Sequence, residues 1–246
     1  MATIPTVMLA YGIVAYLVAM ASVAYAIGFV GNLWVPKSID SGATAPLGEA
    51  LAVNVLLLGL FAVQHSGMAR RGFKKVWTRV VPEPIERSTY VLVSALLLWL
   101  LYWQWRPIPE VIWHVESSFG AALLLVIYFL GWGIVLLSTF LISHADLFGL
   151  KQVTDHWVGK EVAASDFQTP FLYKRVRHPL YLGFLLAFWA TPVMTLGHLL
   201  FAAATTGYIL IGIRLEERDL VAAFGETYER YRKRVSMLIP WPPRRP

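Results

Sequence analysis

A chain of 246 residues that is 57% hydrophobic, with mean hydropathy +0.59, is too apolar for an ordinary water-soluble domain. The absence of cysteine excludes disulfides, thiolate metal ligands and covalent thiol catalysis. The net charge of +6 invites a nucleic-acid reading, but every Lys and Arg except Lys37 and Arg106 falls in segments 67–87, 144–179 and 214–246. That clustering is the positive-inside pattern of a polytopic membrane protein. It predicts that these three segments and both termini face the cytoplasm, as in a bacterial inner membrane.

No charge precedes Lys37, and none occurs over 50–69, 88–105, 117–145 or 178–213. Each block is long enough for the roughly 20 helical residues that cross about 30 Å of hydrocarbon. The first has no basic leader and is too long for a cleaved signal, so it reads as a retained anchor with a helix over 7–31. A short loop with Pro36, Gly42 and Pro46 leads to a second helix over 47–66. Asn54 and His65, eleven residues apart, share one face of it, and polar residues in lipid point into the bundle. The loop 67–87 interleaves Arg70, Arg71, Lys74, Lys75 and Arg79 with Phe73, Val76 and Trp77, the pattern of a short amphipathic segment in the headgroup region.

A third helix is predicted over 89–105, ending in an interfacial aromatic belt of Trp99, Tyr102, Trp103 and Trp105, and a fourth over 119–142. His144, Asp146, Asp155 and His156 follow, at a spacing that matches no compact metal site. The polar stretch 149–171 comes next. The uncharged block 180–213 carries Pro192 and Gly197 near its middle, a hairpin of either two thin crossings or a deep re-entrant pair. The tail 214–234 places Leu220, Phe224, Tyr228, Tyr231 and Val235 on one face of an amphipathic helix, with Gly225 as a bend. The expected architecture is an all-α integral membrane protein in a single polytopic domain, 1–246, with five to six spans and a cytoplasmic amphipathic C-terminal helix.

Ionisable residues bracket the last hairpin. A basic approach of Lys174, Arg175 and Arg177 runs into His178 and Pro179, where proline suits the first turn of a helix and holds His178 extended before it. The free N–H groups there favour an anion. Glu216 and Glu217 come where the second arm re-emerges, so the two ends meet at one membrane face. Neighbours on a helix are about 100° apart, so one glutamate is expected to face a ligand and the other to pair with Arg214 or Arg218.

Arg177-His178-Pro179-x-Tyr181-x-Gly183, then Glu216-Glu217-x-x-Leu220, then Phe224-Gly225-x-x-Tyr228-x-x-Tyr231, resembles the isoprenylcysteine carboxyl methyltransferase and phospholipid methyltransferase superfamily. Gln64-His65-Ser66-Gly67-Met68-Ala69-Arg70 and Pro84-x-Glu86-Arg87-Ser88-x-Tyr90 are similar to its branch of methanethiol S-methyltransferases and NnrU-type membrane proteins. The resemblance implies S-adenosylmethionine as methyl donor, S-adenosylhomocysteine as product, no metal, a small thiol acceptor, the lipid bilayer as surroundings and no nucleic acid. It implies a four-helix membrane part, 1–143, and a cofactor-binding part, 144–246, in which the stretch 149–171 covers the cofactor.

Cofactor contacts are expected from Gln152, Tyr173, Arg177, His178, Pro179, Tyr181, Gly183, Arg214, Glu216 and Glu217. Arg177 and His178 suit the methionine carboxylate, Tyr173 and Tyr181 flank the adenosyl group, and Gly183 permits close approach of a helix or ligand. Candidate catalytic groups are His65, Glu217 and Tyr181, since a thiol must lose its proton to become the nucleophile. Another thiol, a prenylcysteine or a lipid remain alternative acceptors, and a non-catalytic transporter or sensor is the rival class. A transporter spreads polar groups along a midplane path, whereas here they gather at the inner rim.

Overall fold

A backbone surrounded by hydrocarbon must satisfy its N–H and C=O groups within the segment, which is why long apolar runs become helices. The structure, a computed structural model, describes residues 3–160 and 167–240. In chain order it forms α1 (Thr3–Gly31), α2 (Leu47–Met68), α3 (Arg71–Trp77), α4 (Glu83–Gln104), β1 (Val111–His114), α5 (Ser118–Ile142), α6 (His144–Leu147), α7 (Leu150–Trp157), α8 (Pro179–Trp189), β2 (Val193–Thr195), α9 (Leu196–Phe224) and α10 (Glu226–Arg234). Among the described residues five helices, α1, α2, α4, α5 and α9, are long and apolar enough to cross a bilayer. Leu17, Leu56, Val63, Leu123 and Phe140 stand exposed on them, as lipid-facing residues do. This is the all-α membrane fold expected of the composition.

Contacts divide the chain into two compact units, Met1–Pro109 with Ser143–Ala164 and Glu110–Ile142 with Ser165–Pro246. Residues 161–166, in the stretch expected to cover a cofactor, and the tail end 241–246 lie outside the described residues.

In the first unit α4 packs against α1 and α2, and α7 against α1. Its core gathers Ala19, Met68, Tyr90, Val91 and Ala95, with Trp77 and Phe148 against them. Asn54 turns inward as expected: fully buried, it donates from Nδ2 to the Arg106 carbonyl at 2.7 Å and accepts from the Arg106 N–H at 2.9 Å. Asn54→Leu strips partners from both backbone groups. The expected cost is about 2–4 kcal/mol, read as a lower unfolding temperature in lipid. The third span begins at Glu83, six residues before its predicted start: Pro82 precedes it, Pro84 sits in its first turn, and Glu83 and Glu86 suit the positive end of the helix dipole.

In the second unit the predicted hairpin has unequal arms. α8 has 11 residues, about 16 Å of helix at about 1.5 Å per residue; the chain then turns, with the Thr191 N–H on the Trp189 carbonyl, and is extended over Val193–Thr195. The extended run avoids unpaired backbone by joining β1 in a two-stranded antiparallel ribbon, with Val111 opposite Thr195 and His114 opposite Val193. Val115 N–H donates to Pro192 at 2.9 Å and Leu196 N–H to Glu110 at 2.7 Å. Thr195 then caps α9 by accepting from the His198 N–H. α9 carries on through Arg214–Glu217 to Phe224, so the charged residues lie on the same rod as the span. It stops at Gly225, whose φ of +53° suits glycine. α5 and α8 meet at their glycines: a Cβ on Gly183 would lie 2.6 Å from the Gly131 carbonyl oxygen and 2.8 Å from the Val135 nitrogen.

Candidate active site

The cluster lies in the second unit and begins with backbone pairing. A 3-10 turn, Phe171–Lys174, buries Tyr173, and the chain then runs alongside the tail: Val176 bridges Ser236. Arg177 N–H donates to Ser236 at 2.8 Å and His178 N–H to Met237 at 3.2 Å. Pro179 opens α8, leaving His178 non-helical (φ −126°, ψ 64°), as the His-Pro order predicts.

Side chains from α8 and α9 close on this corner. Arg177 Nε donates to Glu217 Oε1 at 2.6 Å, and both side chains are only 11–12% exposed. His178, 4% exposed, brings Nε2 to 3.0 Å from the same oxygen. A carboxylate only accepts, so that ring nitrogen carries the proton. Glu216 Oε2 accepts from the Tyr181 hydroxyl at 3.0 Å and lies 3.9 Å from His178 Nδ1. The two glutamates thus bracket one imidazole although they leave the helix about 100° apart. The expected partnership with Arg214 or Arg218 is replaced: Glu217 takes Arg177 and His178, Glu216 takes Tyr181, and Arg218 lies beside Asp219. Arg214 is exposed and makes no ion pair among the described residues.

Arg177 is heavily committed. Its Nη1 donates to the Arg232 carbonyl at 3.0 Å and to the Val235 carbonyl, which leaves Nη2 without a protein acceptor among the described residues. It therefore fixes Glu217 and the end of α10 together. Tyr231 adds a second tie, its hydroxyl donating to the Tyr173 carbonyl at 2.6 Å. Phe167 stands at 5.3 Å from Phe224 and Tyr231 and 5.6 Å from Tyr228, ring centre to ring centre. The apolar face of the tail helix, read in sequence as amphipathic, packs on protein here. Burial raises Tyr173 and Tyr228, with Glu216 and Glu217 respectively adding to the shift, and pushes Tyr231 up to about 12. All three remain protonated donors at neutral pH.

Two expected site residues belong to the first unit. His65 Nδ1 lies 3.2 Å from Ser94 Oγ, and the Tyr90 hydroxyl is within 3.0 Å of both ring nitrogens. Ser94 donates onward to Gln64 at 3.1 Å. Gln152 donates from Nε2 to Asp146 at 2.6 Å, while its buried Oε1 has no partner among the described residues. Gly183 is occupied by the α5 backbone, the helix-approach option of its sequence reading. Sequence reasoning missed Phe167, Ser236 and Met237. Backbone pairing leaves no side-chain signal for the last two, and Phe167 stands in a polar stretch without helical or strand periodicity. Among the described residues no three His, Asp or Glu groups converge as they would on a metal ion.

Comparison with known proteins bears on what such a cluster serves. The chain is 61% identical over 231 residues to methanethiol S-methyltransferase 1 of Bradyrhizobium diazoefficiens, covering 94% of this chain and 81% of that one. It is 56% identical over 234 residues to the methanethiol S-methyltransferase of Mycobacterium tuberculosis, covering 95% and 96%. This chain belongs to the methanethiol S-methyltransferase family. Membership in that family concerns both compact units, because each match runs nearly the full length of the chain. Human nurim is a more distant relative, 31% identical over 76% of this chain and 72% of its own. No family model and no solved structure matches.

Proposed function

We propose that this chain transfers a methyl group from S-adenosylmethionine to methanethiol, giving dimethyl sulfide and S-adenosylhomocysteine, within a single polytopic domain of a bacterial inner membrane. The observation that carries the reading is the closed corner of Arg177, His178 and Tyr181 on Glu216 and Glu217 at one end of the α8–α9 pair. The donor supplies an electrophilic methyl on a positively charged sulfur. The corner fits such a group: the Glu216 carboxylate is 45% exposed and holds one hydrogen bond, so it keeps acceptor positions for the donor's hydroxyl or ammonium groups.

Each residue then has a task. Glu217, fixed by Arg177 and His178, anchors the ends of α8 and α9. Tyr173 and Tyr181 offer aromatic faces to the cationic sulfur, worth about 0.5–2 kcal/mol. Pro179 opens α8 with its first N–H groups unpaired by any capping side chain, a place for the donor's carboxylate beside Arg177 Nη2. Transfer itself needs the thiol in line with the S–CH3 bond and water excluded, so positioning provides most of the acceleration.

The topology accords with this reading. Among the described residues five helices qualify as spans by length and composition.

Purified protein in lipid, given methyl-labelled donor and a panel of thiols and lipids, is expected to release labelled dimethyl sulfide only with methanethiol. Label found in a non-volatile product instead would overturn the acceptor assignment.

A further inference from the structure

Tyr228 is the buried group near the corner for which the fold gives no account. It is 1% exposed, its ring packs edge-on to Phe167 at 5.6 Å and lies 5.8 Å from Tyr231, and its hydroxyl has no hydrogen-bond partner among the described residues. The next aromatic on the same face, Tyr231, has its hydroxyl fully used on the Tyr173 carbonyl. An orphaned buried hydroxyl costs about 1–3 kcal/mol, whereas phenylalanine would fill the same space without that penalty. Its surroundings are charged: Glu217, Arg177 and Glu216 all act on the Tyr228 hydroxyl. Arg177 and Glu217 neutralise each other, which leaves the Glu216 carboxylate in excess. A hydroxyl that bonds none of these groups and faces surplus negative charge suits a cation with several N–H donors, one for the carboxylate and one for the phenol oxygen.

We propose that the Tyr228 hydroxyl accepts a hydrogen bond from the ammonium group at the amino-acid end of S-adenosylmethionine, so that α10 contributes directly to the donor site. This rests on the methyltransferase reading and deepens it. It also gives a reason for the two ties that hold α10 in place, Arg177 to the carbonyls of Arg232 and Val235 and Tyr231 to Tyr173: they fix the helix that carries Tyr228.

The test is Tyr228→Phe in the full-length protein in lipid, measured with two ligands. S-adenosylhomocysteine carries the amino-acid end; 5′-deoxy-5′-methylthioadenosine has the nucleoside and thioether but lacks it. We expect about a tenfold loss of affinity for the first, the size of one hydrogen bond to a charged group, and less than about a twofold change for the second. The unfolding temperature without ligand should stay level or rise, since the hydroxyl removed had no partner. Tyr231→Phe is the contrast: it should lower the unfolding temperature and weaken both ligands together. Equal losses for both ligands in Y228F, no loss of either, or a drop in unfolding temperature would each overturn the assignment. A wild-type protein that binds neither ligand would overturn the methyltransferase reading as well. Wild-type binding with an unaffected Y228F overturns only the inference about Tyr228.

Discussion

Glu217→Gln is expected to unfold the protein at a markedly lower temperature and to abolish methyl transfer, whereas Glu216→Gln should keep the wild-type unfolding temperature and lose donor affinity. The difference follows from burial and partners. Glu217 is 12% exposed and accepts from both Arg177 and His178, so its neutralisation leaves a nearly buried guanidinium facing a weaker acceptor. Removing one member of such a pair costs about 3–5 kcal/mol, much of it the penalty on the partner left behind. Glu216 is 45% exposed with a single donor from Tyr181, so the fold scarcely depends on it. A charged hydrogen bond to the donor is worth about 1.5–3 kcal/mol, so E216Q should weaken binding by roughly 10- to 100-fold. Thermal unfolding and donor titration of both variants check this. Equal, mild effects in the two would contradict the division of labour.

Gly183→Ala is the second large effect. The added methyl would sit 2.6 Å from a carbonyl oxygen and 2.8 Å from an amide nitrogen of α5, and backbone atoms cannot turn aside as a flexible side chain can. α5 and α8 must then separate. Overpacking of this kind costs about 1–3 kcal/mol or more. The displacement would carry Tyr181, two residues earlier on α8, away from Glu216. Activity should therefore fall further than stability. Gly133→Ala is the control, since a Cβ there meets nothing within 4 Å, and a gain of about 0.5–1 kcal/mol is expected from the better helix former. Equal behaviour of the two variants would show that the α5–α8 seam does not set the corner.

The membrane helices were legible because an uncharged run of sufficient length has few alternatives in lipid. Their ends were less so. Charges at Glu83, Glu86 and Arg87 masked the start of α4, although the surrounding prolines signal a helix opening. Pro192 marks a break in the uncharged run to Ile213, but nothing there marks the extended segment that follows, because it depends on a partner strand some 80 residues earlier and pairing between distant strands has no local signature. The meeting of Arg177 and His178 with Glu216 and Glu217 was legible from where charge re-enters the chain. Which glutamate is buried was not, since that depends on the rotation of α9 against α8.

One consequence follows from Ser236 and Met237 serving as backbone partners for Arg177 and His178. Arg177 and His178 are translated some sixty residues ahead of the segment that pairs with them, so the corner cannot close until Ser236 and Met237 have been made. A chain halted just after α9 would carry the long apolar helices and both glutamates yet lack the backbone that aligns them with the histidine.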